Sequence, residues 1–401
     1  MNIPFLDLKA QYRSIKSDVD PAIQNILDNT AFVLGKSVTE FETAFAKAHS
    51  VKHCIGVSSG TDGNHLALWA LGIGPCDEVI VPANTFIATA WGATLCGATP
   101  VFVDCHPESY NTDPAKIVAA ITPKTKAIVA VHLYGQSADM DALNEQLTIS
   151  NYQLKEQGVF VHKTTGQAIY LVEDSAQAHI AEYKGQRVGG LGAVASFSFY
   201  PGKNLGAYGE AGAVTTNDDE VAKKVTLYRA HGASEKYIHE TYGHNYRMEG
   251  IQGAVLGVKL KYLNEWTEKR RAVAARYREL LSGVEEIIVP KEMEYAKHVY
   301  HLFVIQVKPF GSAQGDSVSA SASARRDALM KFLGDNGIAT GLHYPVPLHV
   351  QPCFKHLGYK KGDFPVAEQL SACGLSLPMF PEMTEEQIGY VCGKIREFFR
   401  K

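Results

Sequence analysis

Short apolar runs return along the chain at intervals that leave room for a helix between them, and this recurrence limits the fold more than any other feature. They fall at residues 54–57, 78–81, 99–103, 127–131, 168–172 and 192–200. Neighbouring parallel strands must be joined by crossovers of a dozen or more residues, usually helical, so the spacing predicts an α/β chain with a mostly parallel sheet. Such sheets bind ligands beyond the carboxyl ends of their strands. The residues that follow each run are therefore the first place to look for chemistry.

Two runs end on reactive side chains. Asp174 follows 168–172, and Lys203 follows 192–200, with Gly206, Gly209 and Gly212 behind it. The Gly-Lys pair does not make a phosphate loop of the GxxxxGK[ST] kind, because Phe197 stands where the first glycine belongs and Asn204 where Ser or Thr would bind magnesium. A lysine used as a covalent amine needs a partner that tunes the cofactor's electronics; a carboxylate beside the ring nitrogen of pyridoxal 5′-phosphate (PLP) is such a partner. Singly, an Asp after a strand is more often a cap or turn former and a lysine more often solvated. Together with Ser198 and the glycines, Asp174 and Lys203 point to a cofactor site. In the segment after 54–57, Ser58, Ser59, Gly60 and Thr61 open a helical pattern, which suits either a phosphate at a helix N-terminus or a simple cap by Thr61 or Asp62.

The segments EDSAQAH and SFYPGKNLGAYGEAGAV resemble those of the DegT-type sugar aminotransferases, PLP enzymes with the aspartate aminotransferase fold. So do FLDL, GVSSGTDGNHLAL, VPANTFIATA, VHLYGQSADMD, the region 245–252 and HYPVPLHVQPCF, so that the resemblance covers nearly the whole chain. It implies PLP transferase fold type I, with a mostly parallel, mixed seven-stranded sheet in a large domain and a smaller α+β C-terminal domain. The boundary is expected near 265, giving 1–265 and 266–401. By the same resemblance Lys203 is the covalent lysine, Asp174 meets the ring nitrogen and Phe86 stacks on the ring. Gln177 reaches the ring oxygen, and Gly60, Thr61 and Ser198 hold the phosphate. Asn245 would reach the phosphate of a neighbouring subunit, implying a homodimer with shared sites. His343 and Tyr344, in a proline-stiffened loop, are candidates for substrate contact. The implied activity moves an amino group from L-glutamate to a nucleotide-linked oxo-sugar, at C3 of a dTDP- or UDP-linked 3-oxo-hexose, for aminosugar and cell-surface polysaccharide synthesis. The alternatives are amination at C4 and a non-catalytic, PLP-binding regulatory protein.

Composition narrows the remainder. With 401 residues, 46% of them hydrophobic, the chain can bury a large core, and a formal charge of -3 gives no bulk attraction to nucleic acid or an anionic membrane. The seven cysteines form no CxxC pair and no zinc-type cluster, so reduced, buried thiols and no metal are expected. Neither a signal peptide nor a long apolar span is evident, which suggests a cytoplasmic protein. Helical spacing predicts entry helices over 17–29 and 37–49 and one long helix over 258–282. Residues 148–167 are extra relative to the family, with a hairpin expected around 163–167, and the small polar stretch 311–324 reads as a loop.

Overall fold

The computed structural model describes residues 1–309 and 316–400. Seven strands form the spine of the central sheet, in the spatial order His53–Val57, Gly212–Thr216, Val194–Ser198, Ala168–Asp174, Thr125–Val131, Glu78–Pro82 and Thr99–Val103. Gly212–Thr216 runs against both of its neighbours, and the other pairs are parallel. The mixed, mostly parallel seven-stranded sheet is therefore present, and six of its strands fall on the apolar runs, the antiparallel Gly212–Thr216 being the one that does not. They are apolar throughout because helices cover both faces. Val79 and Val81 pack in one core and Ile80 in another, and Ala127 and Val129 alternate with Ile128 and Ala130 in the same way.

The segment 148–167 widens this sheet. It forms an antiparallel hairpin, Tyr152–Glu156 with Val159–His162, and the second strand pairs with the start of Ala168–Asp174 (Val159 opposite Tyr170), giving nine strands. The far half of Ala168–Asp174 pairs instead with Val194–Ser198, where Ser196 lies opposite Asp174. The added hairpin thus sits at the opposite end of the strand from Asp174.

Two helix boundaries differ from expectation. The entry helix is Leu8–Asp28, beginning well before residue 17 because Asp7 caps it by accepting the Ala10 N–H at 2.9 Å. The pattern over 258–282 belongs to two helices, Gly250–Leu260 and Leu263–Leu281. The N–H groups of Lys261 and Tyr262 bond to the carbonyls three residues back, which tightens the chain into a turn between them.

A second core lies beyond this turn. The antiparallel strands Ile287–Ile288, Phe303–Val307 and Gly374–Leu377 pack with Leu263–Leu281, Asp316–Asp335 and Glu385–Arg400 around Tyr277, Phe303, Leu329, Leu333 and Ile395. The N-terminal arm, expected with the large domain, is stitched here: Ile3 is fully buried in this core, donates to Gly337 O at 2.8 Å and accepts from Ala339 N at 3.0 Å. Residues 311–315 of the expected loop lie outside the described residues, but 316–324 are helical, a correction. Ala322, Arg326, Leu329 and Leu333 recur on one buried face of that helix. Buried thiols are found at Cys54, Cys105, Cys373 and Cys392, whereas Cys76, in a turn, and Cys353, in the short helix Pro352–Leu357, are exposed and Cys96 is half-buried. No helix among the described residues is long and apolar enough to cross a membrane.

Candidate active site

The carboxyl ends of the parallel strands open into a cavity of ≈ 610 Å³. Gly60, Thr61, Phe86, Asp174, Gln177, Ser198, Lys203, His343 and Tyr344 all line it. Strand geometry brings them together: Asp174 and Ser198 are the last residues of adjacent parallel strands, Lys203 follows one short turn later, and the helix Gly60–Ala70 starts just beyond Val57.

Asp174 is buried, yet both of its carboxylate oxygens are hydrogen-bonded. Its Oδ2 accepts from Thr89 Oγ1 at 2.6 Å and Asn64 Nδ2 at 3.1 Å, and its Oδ1 accepts from Ala176 N at 3.1 Å. Asn64 Oδ1 in turn accepts from Ser196 Oγ, which fixes the amide's orientation. These donors hold a carboxylate in place where a buried one would otherwise be costly. Across the cavity, burial pushes the Lys203 amine down to about 8, with the charge of Asp174 pulling the other way. An amine so placed is available as a nucleophile near neutral pH.

The phosphate end is defined by what cannot be there. A Cβ on Gly60 would lie 2.5 Å from Ser198 Cβ, and one on Gly212 would lie 2.3 Å from Ser59 O. Two glycines thus let the first turn of the helix Gly60–Ala70 close onto the end of Val194–Ser198. The N–H groups of Gly60 and Thr61 have no partners within the helix and sit at its positive dipole end, while that of Asp62 is taken by Ser59 Oγ at 3.1 Å, so the cradle offers two backbone donors to a phosphate. The ring-stacking candidate, Phe86, is 52% exposed rather than a core residue, and its ring faces Tyr344 at 5.6 Å between centroids. A buried amine, a stacking face, a phosphate cradle and an acidic partner for the ring nitrogen are all present, so these residues fit PLP.

Gln177 is more committed than the sequence suggests. Its Oε1 accepts from Tyr134 N at 2.6 Å and its Nε2 donates to Tyr344 Oη at 2.9 Å, which leaves one amide hydrogen for a ligand. His343 stacks on Phe5, its Nδ1 is 2.8 Å from Ser376 Oγ, and burial pushes it down to about 4, so it is a neutral ring at physiological pH. Asn245 does not line the cavity of its own chain. It is exposed beside Arg247, whose Nε and Nη2 donate to Asn245 Oδ1 at 3.1 and 2.8 Å, while its neighbours His244 and Tyr246 pack inward around His65. Asn64, Thr89, Trp91, Glu210 and His301 escaped the sequence reading. Asn64 stands four residues after Gly60, and Thr89 three after Phe86, which is one helical turn in each case, and that spacing was the available signal.

A lysine and an aspartate at the ends of neighbouring strands, facing a helix-terminal phosphate cradle in a fold type I sheet, are the parts of a PLP site. The DegT/DnrJ/EryC1/StrS aminotransferase family matches residues 13–157 and 158–396, and the chain belongs to this family. It is 44% identical to a "Pleiotropic regulatory protein" of Geobacillus stearothermophilus, over 100% of this chain and 99% of the relative. It is 40% identical to the dTDP-3-amino-3,4,6-trideoxy-alpha-D-glucose transaminase of Streptomyces venezuelae, over 99% and 96%. Among solved structures, S. venezuelae DesV in complex with a ketimine intermediate superposes with a TM-score of 0.89 at 40% identity, covering 100% of this chain and 99% of that one.

Proposed function

We propose that this chain transfers an amino group from L-glutamate to C3 of a 3-oxo-hexose carried on a nucleoside diphosphate, with a dTDP-linked 6-deoxy sugar the first candidate. The observation that carries this reading is the placement of Lys203 and Asp174 on one cavity, with a phosphate cradle at its end. When bound there, PLP supplies an aldehyde carbon that carries the amino group and a ring that accepts electrons released at the substrate carbon. Asp174, oriented by Thr89 and Asn64, keeps the ring nitrogen protonated. Gly60, Thr61 and Ser198 hold the phosphate, Phe86 covers the ring and Gln177 reaches its oxygen. Lys203, released by the incoming amine, moves a proton at the substrate carbon as general base and acid; an amine near 8 suits both roles. His343 and Tyr344 face the sugar.

In this reading the chain divides at about 265, works in the cytoplasm, and pairs as a homodimer in which Asn245 serves the neighbour's site. The exposed position of Asn245, outside its own cavity, supports that last point. The S. venezuelae relative's name supports C3 and dTDP.

The test is an absorbance spectrum of the purified chain with PLP, followed by L-glutamate and then by 3-oxo and 4-oxo nucleotide sugars. Conversion of the lysine-bound band by glutamate, reversed by a dTDP-linked 3-oxo sugar, is expected. Reversal by 4-oxo sugars alone would move the reaction to C4. The G. stearothermophilus relative's name favours a regulatory reading, and a PLP band that no amino donor converts would support it.

A further inference from the structure

Outside the cavity, Lys259 is a buried basic side chain of the large domain that Lys203 chemistry does not itself use. It is 1% exposed in the helix Gly250–Leu260, and its ammonium has one hydrogen bond, to Gly206 O at 2.7 Å, plus the ring of Tyr208 at 4.4 Å. Burial pushes its amine down to about 7, with the charge of Glu382 opposing. A methionine or leucine would fill this space without desolvating a charge. The cost implies a purpose.

Its target is the turn that carries Lys203. That turn is closed at its base by Ala207 N to Phe199 O at 2.7 Å and Phe199 N to Ala211 O at 2.8 Å. Gly206 packs so tightly under Pro201 that a Cβ would lie 2.3 Å from Pro201 O. On one flank Asn204 Nδ2 donates to Val299 O at 2.9 Å. On the other, the helix Gly250–Leu260 grips it twice from one face, for Gln252 Oε1 accepts from Tyr208 N at 2.9 Å seven residues before Lys259 bonds to Gly206.

We propose that Lys259 is a positioning residue for Lys203: by donating to the Gly206 carbonyl, its Nζ fixes the turn so that the Lys203 amine stays desolvated and aimed into the cavity. The proposal rests on Lys203 being the cofactor lysine, and is independent of which sugar is aminated. Without the clamp, Gly206 O is left unpaired and the turn opens to water.

The experiment uses the full chain, freed of cofactor and recharged with PLP, and compares wild type with Lys259→Met. The rate of PLP capture is followed by absorbance from pH 6 to 10, together with PLP release and thermal melting. Capture needs the free amine, so wild type should rise with a midpoint near 8. Asp174, His179, His301 and His343 face Lys203 and are unchanged in the variant; Glu382 and Tyr208 face residue 259. In Lys259→Met the midpoint is expected to rise by about one unit toward the ordinary lysine value, with release about tenfold faster. Lys259→Gln, which keeps a donor, should fall between the two, and is read alone where the methionine variant does not fold. A lower melting temperature with capture midpoint and release unchanged would make Lys259 merely structural and overturn the proposal. Failure of wild type to capture PLP at all would instead overturn the reading of Lys203.

Discussion

The phosphate cradle can be tested by adding one methyl group. In Gly60→Ala the new Cβ would sit 2.5 Å from Ser198 Cβ, 3.0 Å from Ser198 Cα and 3.1 Å from Ser198 Oγ. Carbon atoms in contact prefer about 3.5–4.0 Å, so the overlap is about 1 Å and involves backbone as well as side chain. Ser198 cannot yield, since its strand is paired with Ala168–Asp174 on one side and Gly212–Thr216 on the other. The helix Gly60–Ala70 must therefore withdraw, and the N–H groups of Gly60 and Thr61 move with it. Overpacking of this kind costs about 1–3 kcal/mol. If the loss falls on the cradle, the dissociation constant for PLP rises between about fivefold and about a hundredfold, at about 1.4 kcal/mol per factor of ten. Titrating the cofactor-free protein with PLP measures this directly, and a melting curve without PLP separates the effect on the fold. Wild-type PLP affinity in a folded Gly60→Ala protein would refute the assignment of this helix end as the phosphate cradle.

A second expectation concerns Glu173, which is fully buried beside Asp174. Its Oε1 accepts from the N–H groups of Leu191 and Gly192, both at 2.8 Å, and its Oε2 from Gly189 N at 2.7 Å and His132 Nε2 at 2.9 Å. His132 Nδ1 accepts from Ala138 N, so Nε2 holds a proton. Burial alone would raise the Glu173 carboxyl, but the donors from His132, Gly189 and Gly192 outweigh it and hold it below the usual range. Glu173→Gln turns an amide against two of these donors and should cost about 2–5 kcal/mol by denaturant unfolding at pH 7. A depressed carboxyl contributes stability above its unfolded value and loses it as pH falls through the folded one, so the variant's deficit should shrink in acid. A deficit that does not change with pH would refute the role of the charge. Gly389→Ala, on an exposed position of the helix Glu385–Arg400 with nothing within 4 Å, should instead stabilise by about 0.5–1 kcal/mol and leave PLP affinity unchanged, as melting and titration would report.

Asp174 and Lys203 could be read from sequence because each ends an apolar run, and chain position alone puts strand ends of a parallel sheet on one rim. Their supports were only half legible. Spacing puts Asn64 and Thr89 one turn after Gly60 and Phe86, but whether either points at Asp174 depends on how those two helices rotate against the sheet. The same reason hid Lys259: a lysine near the end of a helix is ordinarily solvated, and its burial depends on which face of Gly250–Leu260 meets the turn that holds Gly206 and Tyr208. The helix Asp316–Asp335 was missed for a different cause. Serine and alanine alternate through its start, so composition reads as a loop, while the signal that counts is the later spacing of Ala322, Arg326, Leu329 and Leu333. The groups proposed to react here are placed by topology, and the groups that orient them by packing. Substitutions among the former should abolish turnover, whereas those among the latter should shift cofactor affinity and the titration of Lys203 while the fold survives.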